Sequence, residues 1–179
     1  PNLLTFLRII LIPVFILLFY LPFRGSHVLA AIIFIFAAMT DWLDGYLARS
    51  LGQVSKLGTF LDPVADKLIV VTALVLLVGD RVLPYLAIPA IVIICREIMV
   101  SALREWMAEI GKRTRIAVTR IGKIKTTVQM LALILLLLYK PGAWFALALS
   151  GYLLLYLAAL LTLWSMSLYL KAAWHDLSS

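Results

Sequence analysis

The chain has 179 residues, of which 64% are hydrophobic and 14% charged, with a formal net charge of +7 and a mean hydropathy of +1.07. Soluble domains lie nearer half apolar and a quarter charged, so this composition excludes an ordinary water-soluble globule. The length suits one domain, and the single cysteine, Cys95, excludes an internal disulfide.

Crossing a bilayer takes about 20 apolar residues as a helix. Residues 3–21 are apolar apart from Thr5 and Arg8. This run is too long for a signal peptide and lacks a small-residue cleavage site. The leading Pro1 implies that an initiator methionine, and some residues with it, precede this sequence. Residues 28–40 are apolar and lead into an acidic stretch, so they span only if the turns bearing Asp41 and Asp44 lie at the interface. Residues 68–78 carry only Thr72, 83–95 run into a charged helix, 130–138 are apolar, and 143–170 hold no charge. The pattern predicts an all-α integral membrane protein with six transmembrane helices, near 3–21, 28–49, 59–79, 83–108, 121–139 and 143–170. With short loops, no internal repeat and no linker, residues 1–179 form one bundle and one domain. Cys95 falls mid-helix as a small apolar filler.

Six spans put alternate loops on the same side. One side collects Arg49, Lys56, Lys112, Arg113, Arg115, Arg120 and Lys171, and the other only Arg24, Arg81 and Lys140. The positive-inside rule places the richer side, with both termini, in the cytoplasm. The basic loop at 109–120 is equally read as an attraction to anionic lipid headgroups.

The segment "TDWLDGYLARSLGQVSKLGTFLDPVADK", residues 40–67, holds four of the six aspartates. Asp41 and Asp44 are three apart at the end of the second helix, and Asp62 and Asp66 four apart at the start of the third; each pair shares a face. A short connection makes the helices antiparallel neighbours, so the acidic faces can meet. Carboxylates so close repel and need protons or cations, and hard divalent ions such as Mg²⁺ or Mn²⁺ suit them. Two metals sharing ligands would clamp a phosphoryl displacement. Taken singly, Asp62 before Pro63 also reads as an N-cap with proline at the first helical position, and Asp41 and Asp44 as partners of Arg49 or Lys67. Capping alone does not account for all four, because acids at membrane depth are functional by default. A cation transporter with an acidic gate would carry its acids nearer the bilayer midplane.

Asp41-x-x-Asp44-Gly45-x-x-Ala48-Arg49, eight residues, then Gly58-x-x-x-Asp62-x-x-x-Asp66 resembles the signature of the CDP-alcohol phosphatidyltransferases, with every position filled. The resemblance implies a six-helix membrane fold with a dimetal site and transfer of a phosphatidyl group from a CDP-activated lipid to an alcohol, releasing CMP. It implies Asp41, Asp44, Asp62 and Asp66 as metal ligands and Asp66 as general base. It also implies that Asn2, Thr5, Arg8, Gly45 and Arg49 hold the cytidine diphosphate. Read without it, Thr5 and Arg8 are an ordinary helix start with a snorkelling arginine. His27 and His175 read as surface residues, so no histidine or cysteine nucleophile lies near the acids.

The fourth helix carries Arg96, Glu97, Arg104 and Glu105, and the fifth opens with Lys123 and Lys125. Arg96 and Arg104 lie about two turns apart on one face. These charges either pair among themselves or line a cationic pocket for an acceptor bearing a phosphate, which arginine forks bind bidentately. Lys123 and Lys125 cannot share a face, so one of them reaches any given site. "RE…S-x-x-R" with "GKIKT" resembles the branch of the family that takes glycerol 3-phosphate as acceptor. That implies CDP-diacylglycerol and glycerol 3-phosphate as substrates, and a bacterial cytoplasmic (inner) membrane location with the site on the cytoplasmic side. The reaction would feed phosphatidylglycerol and cardiolipin. Members of the family using inositol phosphate or serine are the alternative. The resemblance also implies a homodimer, for which the fifth and sixth helices offer a seam. Nothing points to nucleic acid.

Overall fold

The computed structural model describes residues 2–23, 25–51, 56–80, 83–109, 120–139 and 145–177. They form six helices: α1 (Asn2–Tyr20), α2 (Ser26–Leu51), α3 (Lys56–Gly79), α4 (Ala87–Glu109), α5 (Arg120–Leu138) and α6 (Phe145–Leu177). Among the described residues there is no strand. Helices are expected from sequence this apolar and poor in glycine, because a backbone that satisfies its own hydrogen bonds is the one tolerated away from water.

Three boundaries depart from the sequence expectation by three residues or more. Helix α3 begins at Lys56, not 59, so Asp62 is its seventh residue and Pro63 lies inside it. The N-cap account of Asp62 is therefore overturned. Pro63 offers no N–H to the carbonyl of residue 59, yet the helix continues because Ala65 and Ile69, on its next turn, are buried. Helix α4 starts at Ala87 rather than 83, because Leu83–Leu86 is a turn in which Tyr85 has φ 63°. Helix α6 ends at Leu177 rather than 170, since no glycine or proline follows Lys171 to stop it.

The core is a single cluster drawn from all six helices, with Phe15, Phe34, Leu74, Ile93, Leu133 and Leu155 at its centre. The rings of Phe15 and Phe34 lie 6.0 Å apart and tilted, locking α1 to α2. His27 is not a bare surface residue: its ring meets Phe19 edge-on at 5.0 Å. Helices α5 and α6 pack most extensively, followed by α1 on α2. Among the described residues the backbones of α4 and α5 do not approach each other. The turn before α4 is fastened to α6 by two tyrosines one helical turn apart. The Tyr152 hydroxyl donates to the Pro84 carbonyl at 2.6 Å and the Tyr156 hydroxyl to that of Tyr85 at 2.9 Å.

Polarity is inverted relative to a soluble bundle. Arg8, Thr5, Arg96, Lys125, Gln129, Thr162 and Ser165 are buried, while Ile10, Leu17, Val75, Ile91, Leu153, Leu160 and Trp164 face outward. Cys95 also faces outward, so it does not fill the interior as expected. Phe145–Leu168 is the one described segment long and apolar enough to cross a membrane; Leu4–Tyr20, Ser26–Thr40 and Ile124–Leu138 are shorter apolar stretches.

At the α5–α6 contact, a Cβ on Gly151 would lie 2.8 Å from both Cγ and Cδ2 of Leu136, whereas one on Gly79 would meet nothing within 4 Å. Gly151→Ala should therefore lower stability by about 1–3 kcal/mol through overpacking. Gly79→Ala should leave the melting temperature in detergent nearly unchanged. Equal melting temperatures for the two variants would contradict the close approach of α5 to α6.

Candidate active site

A cavity of about 710 Å³ opens where α2, α3, α4 and α5 converge loosely, with α1 supplying Arg8. Its lining is apolar at residues such as Val70, Leu74, Ile93 and Ile134 and polar at Arg8, Asp66, Lys67, Glu97, Thr126, Thr127 and Gln129.

Arg8 is only 1% exposed. It lies one turn along α1 from the buried Thr5, and it does not snorkel. Its Nη1 donates to Oδ1 of Asp66 on α3. An arginine keeps its proton in any protein environment, so its burial demands an anion, and Asp66 supplies one. Asp66 keeps 39% of its side chain exposed, on the cavity side. It is thus oriented by a buried cation while remaining accessible. Thr5, three residues before Arg8, is fully buried beside it on α1. On α3 the neighbouring Lys67 donates to the hydroxyl of Ser101 on α4, tying the two helices together.

A second charged group spans α4, α5 and α6. The Glu97 carboxylate accepts from Lys125 Nζ at 2.6 Å and from Arg96 Nη1 at 3.0 Å. Arg96 Nη2 donates to Ser165 Oγ at 3.1 Å, and Ser165 donates onward to the Thr162 carbonyl at 2.9 Å. Lys125 is 1% exposed, and its long side chain bridges helices whose backbones stay apart.

Of the residues singled out from sequence, the structure joins Arg8 to Asp66, and Arg96 to Lys125 through Glu97. Asp41, Asp44, Gly45 and Arg49 are on α2, Asp62 on α3, Asn2 on α1, Arg104 on α4 and Lys123 on α5. Their side chains lie outside the described set, as do the whole of Arg24, Arg81, Lys140 and residues 110–119 among the orienting charges. Among the described residues no three acidic, histidine or cysteine side chains gather as a metal site, three of the four aspartate side chains falling outside that set. The helix register is continuous through Asp41 and Asp44 on α2 and through Asp62 and Asp66 on α3. Each pair therefore keeps one face, and an all-carboxylate donor set fits hard divalent cations.

Sequence reasoning passed over Ser165 and Thr162, because α6 carries no charge in its apolar stretch, and over Gln129; Ser101 enters it only as the serine of S-x-x-R, with nothing to link it to Lys67. Glu97 was read as a partner within its own helix. A spacing signal existed for Gln129, which follows Lys125 by four residues and so shares its face.

The Arg8–Asp66 pair and Glu97 of the second group thus share one largely apolar cavity between the helices. Residues 1–164 match the family described as CDP-alcohol phosphatidyltransferase, and the chain belongs to that family. It is 53% identical over 177 residues to the CDP-diacylglycerol–glycerol-3-phosphate 3-phosphatidyltransferase of Yersinia enterocolitica, covering 99% of this chain and 96% of the relative. It is 54% identical, with the same coverage, to the protein of that name from Pectobacterium atrosepticum, and 52% identical to the one from Salmonella typhimurium.

Removing Glu97 would strip the buried Lys125 of its carboxylate and Arg96 of one of its partners, at a cost of about 3–5 kcal/mol. Removing the Ser165 hydroxyl would cost Arg96 one neutral partner, about 1 kcal/mol. Thermal unfolding in detergent should accordingly place Glu97→Gln well below Ser165→Ala. The reverse order would refute Glu97 as the clamp between α4 and α5.

Proposed function

We propose that this chain transfers the phosphatidyl group of CDP-diacylglycerol to sn-glycerol 3-phosphate, giving phosphatidylglycerophosphate and CMP. The observation that carries this reading is the pairing of two features on one cavity. One is a carboxylate, Asp66, held by Arg8 yet open to the cavity; the other is Glu97, through which the Arg96–Glu97–Lys125 group meets the same cavity. The name shared by relatives at 52–54% identity along nearly the whole chain supports the same acceptor.

In the proposed reaction Asp66 accepts the proton of the acceptor's primary hydroxyl. That oxygen bonds to the phosphorus bearing the diacylglycerol, and the bond from this phosphorus to the CMP oxygen breaks. Arg8 fixes the carboxylate so that it faces the acceptor. Asn2, Thr5, Arg8, Gly45 and Arg49 are the proposed nucleotide contacts. Arg96 and Lys125, with Arg104 and Lys123, are the proposed contacts of the acceptor phosphate. For that phosphate to bind, it must draw Arg96 and Lys125 partly away from Glu97. Asp41, Asp44, Asp62 and Asp66 would hold Mg²⁺ or Mn²⁺, in a pair by family resemblance. Such ions neutralise the pyrophosphate and stabilise the departing CMP. Asp66 has lone pairs enough to serve both Arg8 and a metal.

The outward-facing leucines, isoleucines and tryptophan support a multi-pass protein, because large apolar side chains on the outside of every helix suit acyl chains as solvent. We place all six helices across a bacterial cytoplasmic membrane as one catalytic domain, with both termini and the site towards the cytoplasm. Soluble acceptor would enter from that side, and the donor's acyl chains from the lipid. A homodimer is proposed on family resemblance.

The test is CMP release by purified protein from CDP-diacylglycerol and Mg²⁺ or Mn²⁺, with glycerol 3-phosphate, inositol phosphate, inositol and serine offered in parallel. Release with glycerol 3-phosphate alone is expected, and release with another acceptor instead would overturn the assignment. Asp66→Asn should lower kcat by about 100-fold or more in folded protein; full activity would refute it as the base. Arg96→Ala should raise KM for glycerol 3-phosphate by about tenfold or more with little change in KM for CDP-diacylglycerol. Equal effects on the two constants would sink the phosphate assignment.

A further inference from the structure

Two consecutive residues of α3 line the cavity, Asp66 and Lys67. Neighbours on a helix diverge by about 100°, and these two reach different partners. Asp66 meets Arg8 on α1, and Lys67 donates to the Ser101 hydroxyl on α4. An ammonium carries three donors, and Ser101 takes one of them. Among the described residues Lys67 meets no carboxylate, the ion pairs there being Arg8–Asp66, Arg96–Glu97 and Lys125–Glu97. Its charge is held in place by a neutral group and is not cancelled by it.

Two of the described lining residues are basic, Arg8 and Lys67. Arg8 is 1% exposed and bonded to Asp66, whereas Lys67 is partly exposed. Thr126, Thr127 and Gln129 bring neutral groups to the same lining; they can supplement a positive charge and cannot supply one. Arg96 and Lys125 do not line the cavity and are bonded to Glu97. An anion entering the cavity therefore finds in Lys67 a cation with donors to spare, and a charge-assisted hydrogen bond is the strong kind.

The inference rests on the reaction proposed above, in which two substrates bring phosphate oxygens: the donor its pyrophosphate, the acceptor its phosphate. The partner of Lys67 favours the acceptor. The proposed nucleotide contacts lie on α1 and α2, and Lys67 turns instead to α4. On α4, Ser101 follows Glu97 by four residues and precedes Arg104 by three, so the three share one face, and Arg104 is a proposed contact of the acceptor phosphate. We infer that Lys67 is a further substrate-binding residue, which meets the phosphate of glycerol 3-phosphate inside the cavity, and that Ser101 positions its ammonium. Glycerol 3-phosphate carries its reacting hydroxyl and its phosphate at opposite ends of three carbons. The base and the phosphate partner must then stand apart on one cavity, as Asp66 and Lys67 do. No bond to a carboxylate has to give way first, as it does at Arg96 and Lys125.

The experiment measures CMP release and thermal unfolding in detergent for Lys67→Met, Ser101→Ala and Lys67→Arg. The first two break the same bond between α3 and α4, and only the first removes the charge. Lys67→Met should raise KM for glycerol 3-phosphate by about tenfold or more, with kcat within about threefold and KM for CDP-diacylglycerol within about twofold. Ser101→Ala, which keeps the ammonium and loses its guide, should raise the same KM by about threefold. Lys67→Arg, which keeps the charge, should recover most of the affinity lost in Lys67→Met. Calorimetric titration of the folded variants with glycerol 3-phosphate reads the same order of affinities where turnover is slow.

Equal effects of Lys67→Met and Ser101→Ala on KM and melting temperature would reduce the bond to a tie between helices and overturn the inference. A rise confined to KM for CDP-diacylglycerol would overturn it too, by assigning Lys67 to the donor's phosphates. Wild-type protein that releases CMP with inositol phosphate or serine and not with glycerol 3-phosphate overturns the proposed reaction itself, and the two failures are thereby distinguished.

Discussion

Arg8 cannot give up its proton, and it is all but buried. That constraint organises the interior. The guanidinium on α1 must meet an anion inside the bundle, and it meets Asp66 on α3. The contact docks α1 against α3 and sets the rotation of both helices. It also holds one carboxylate of the acidic motif in a fixed pose on the cavity. The Arg96–Glu97–Lys125 group answers the same demand on the other side, tying α4 to α5 and, through Ser165, to α6. Burying charge is expensive, and removing one partner is costlier than never having the pair. Groups of this kind persist where ionised side chains are needed for chemistry.

Much of this architecture is legible from composition and spacing. Six apolar runs separated by short polar links define six helices, because a run of such length has few other ways to satisfy its backbone. The acidic motif is legible for a different reason: fixed residue types at fixed intervals place two carboxylates on one face of each of two adjacent helices, and few purposes other than binding cations require that. The basic residues of α4 and α5 are visible as exceptions in apolar helices.

What stayed hidden depends on tertiary distance or on ambiguity in a local signal. Arg8 and Asp66 are 58 positions apart, and nothing in periodicity links them. Glu97 is adjacent in sequence to Arg96, so a local pairing sufficed to explain it; its bond to Lys125 crosses 28 positions. Asp-Pro at 62–63 is the signal of a helix start and also, less often, of a proline accommodated inside a helix, and only the packing of Ala65 and Ile69 decides between them. Gln129 is a neutral amide in an apolar stretch. Its distinction is an oxygen without a partner, a property that exists only once the surrounding helices are assembled.

The separation of the α4 and α5 backbones has an evolutionary corollary. Because no main-chain contact sets the distance between them, the width of the polar chamber is governed by side-chain reach, that of Lys125 across to Glu97 above all. A change of acceptor can then be made by exchanging a few side chains on these two helices, while the tightly packed pairs α1–α2 and α5–α6 stay as they are. A single scaffold can in this way diversify the alcohol it uses and keep the same apparatus for the nucleotide half of the reaction.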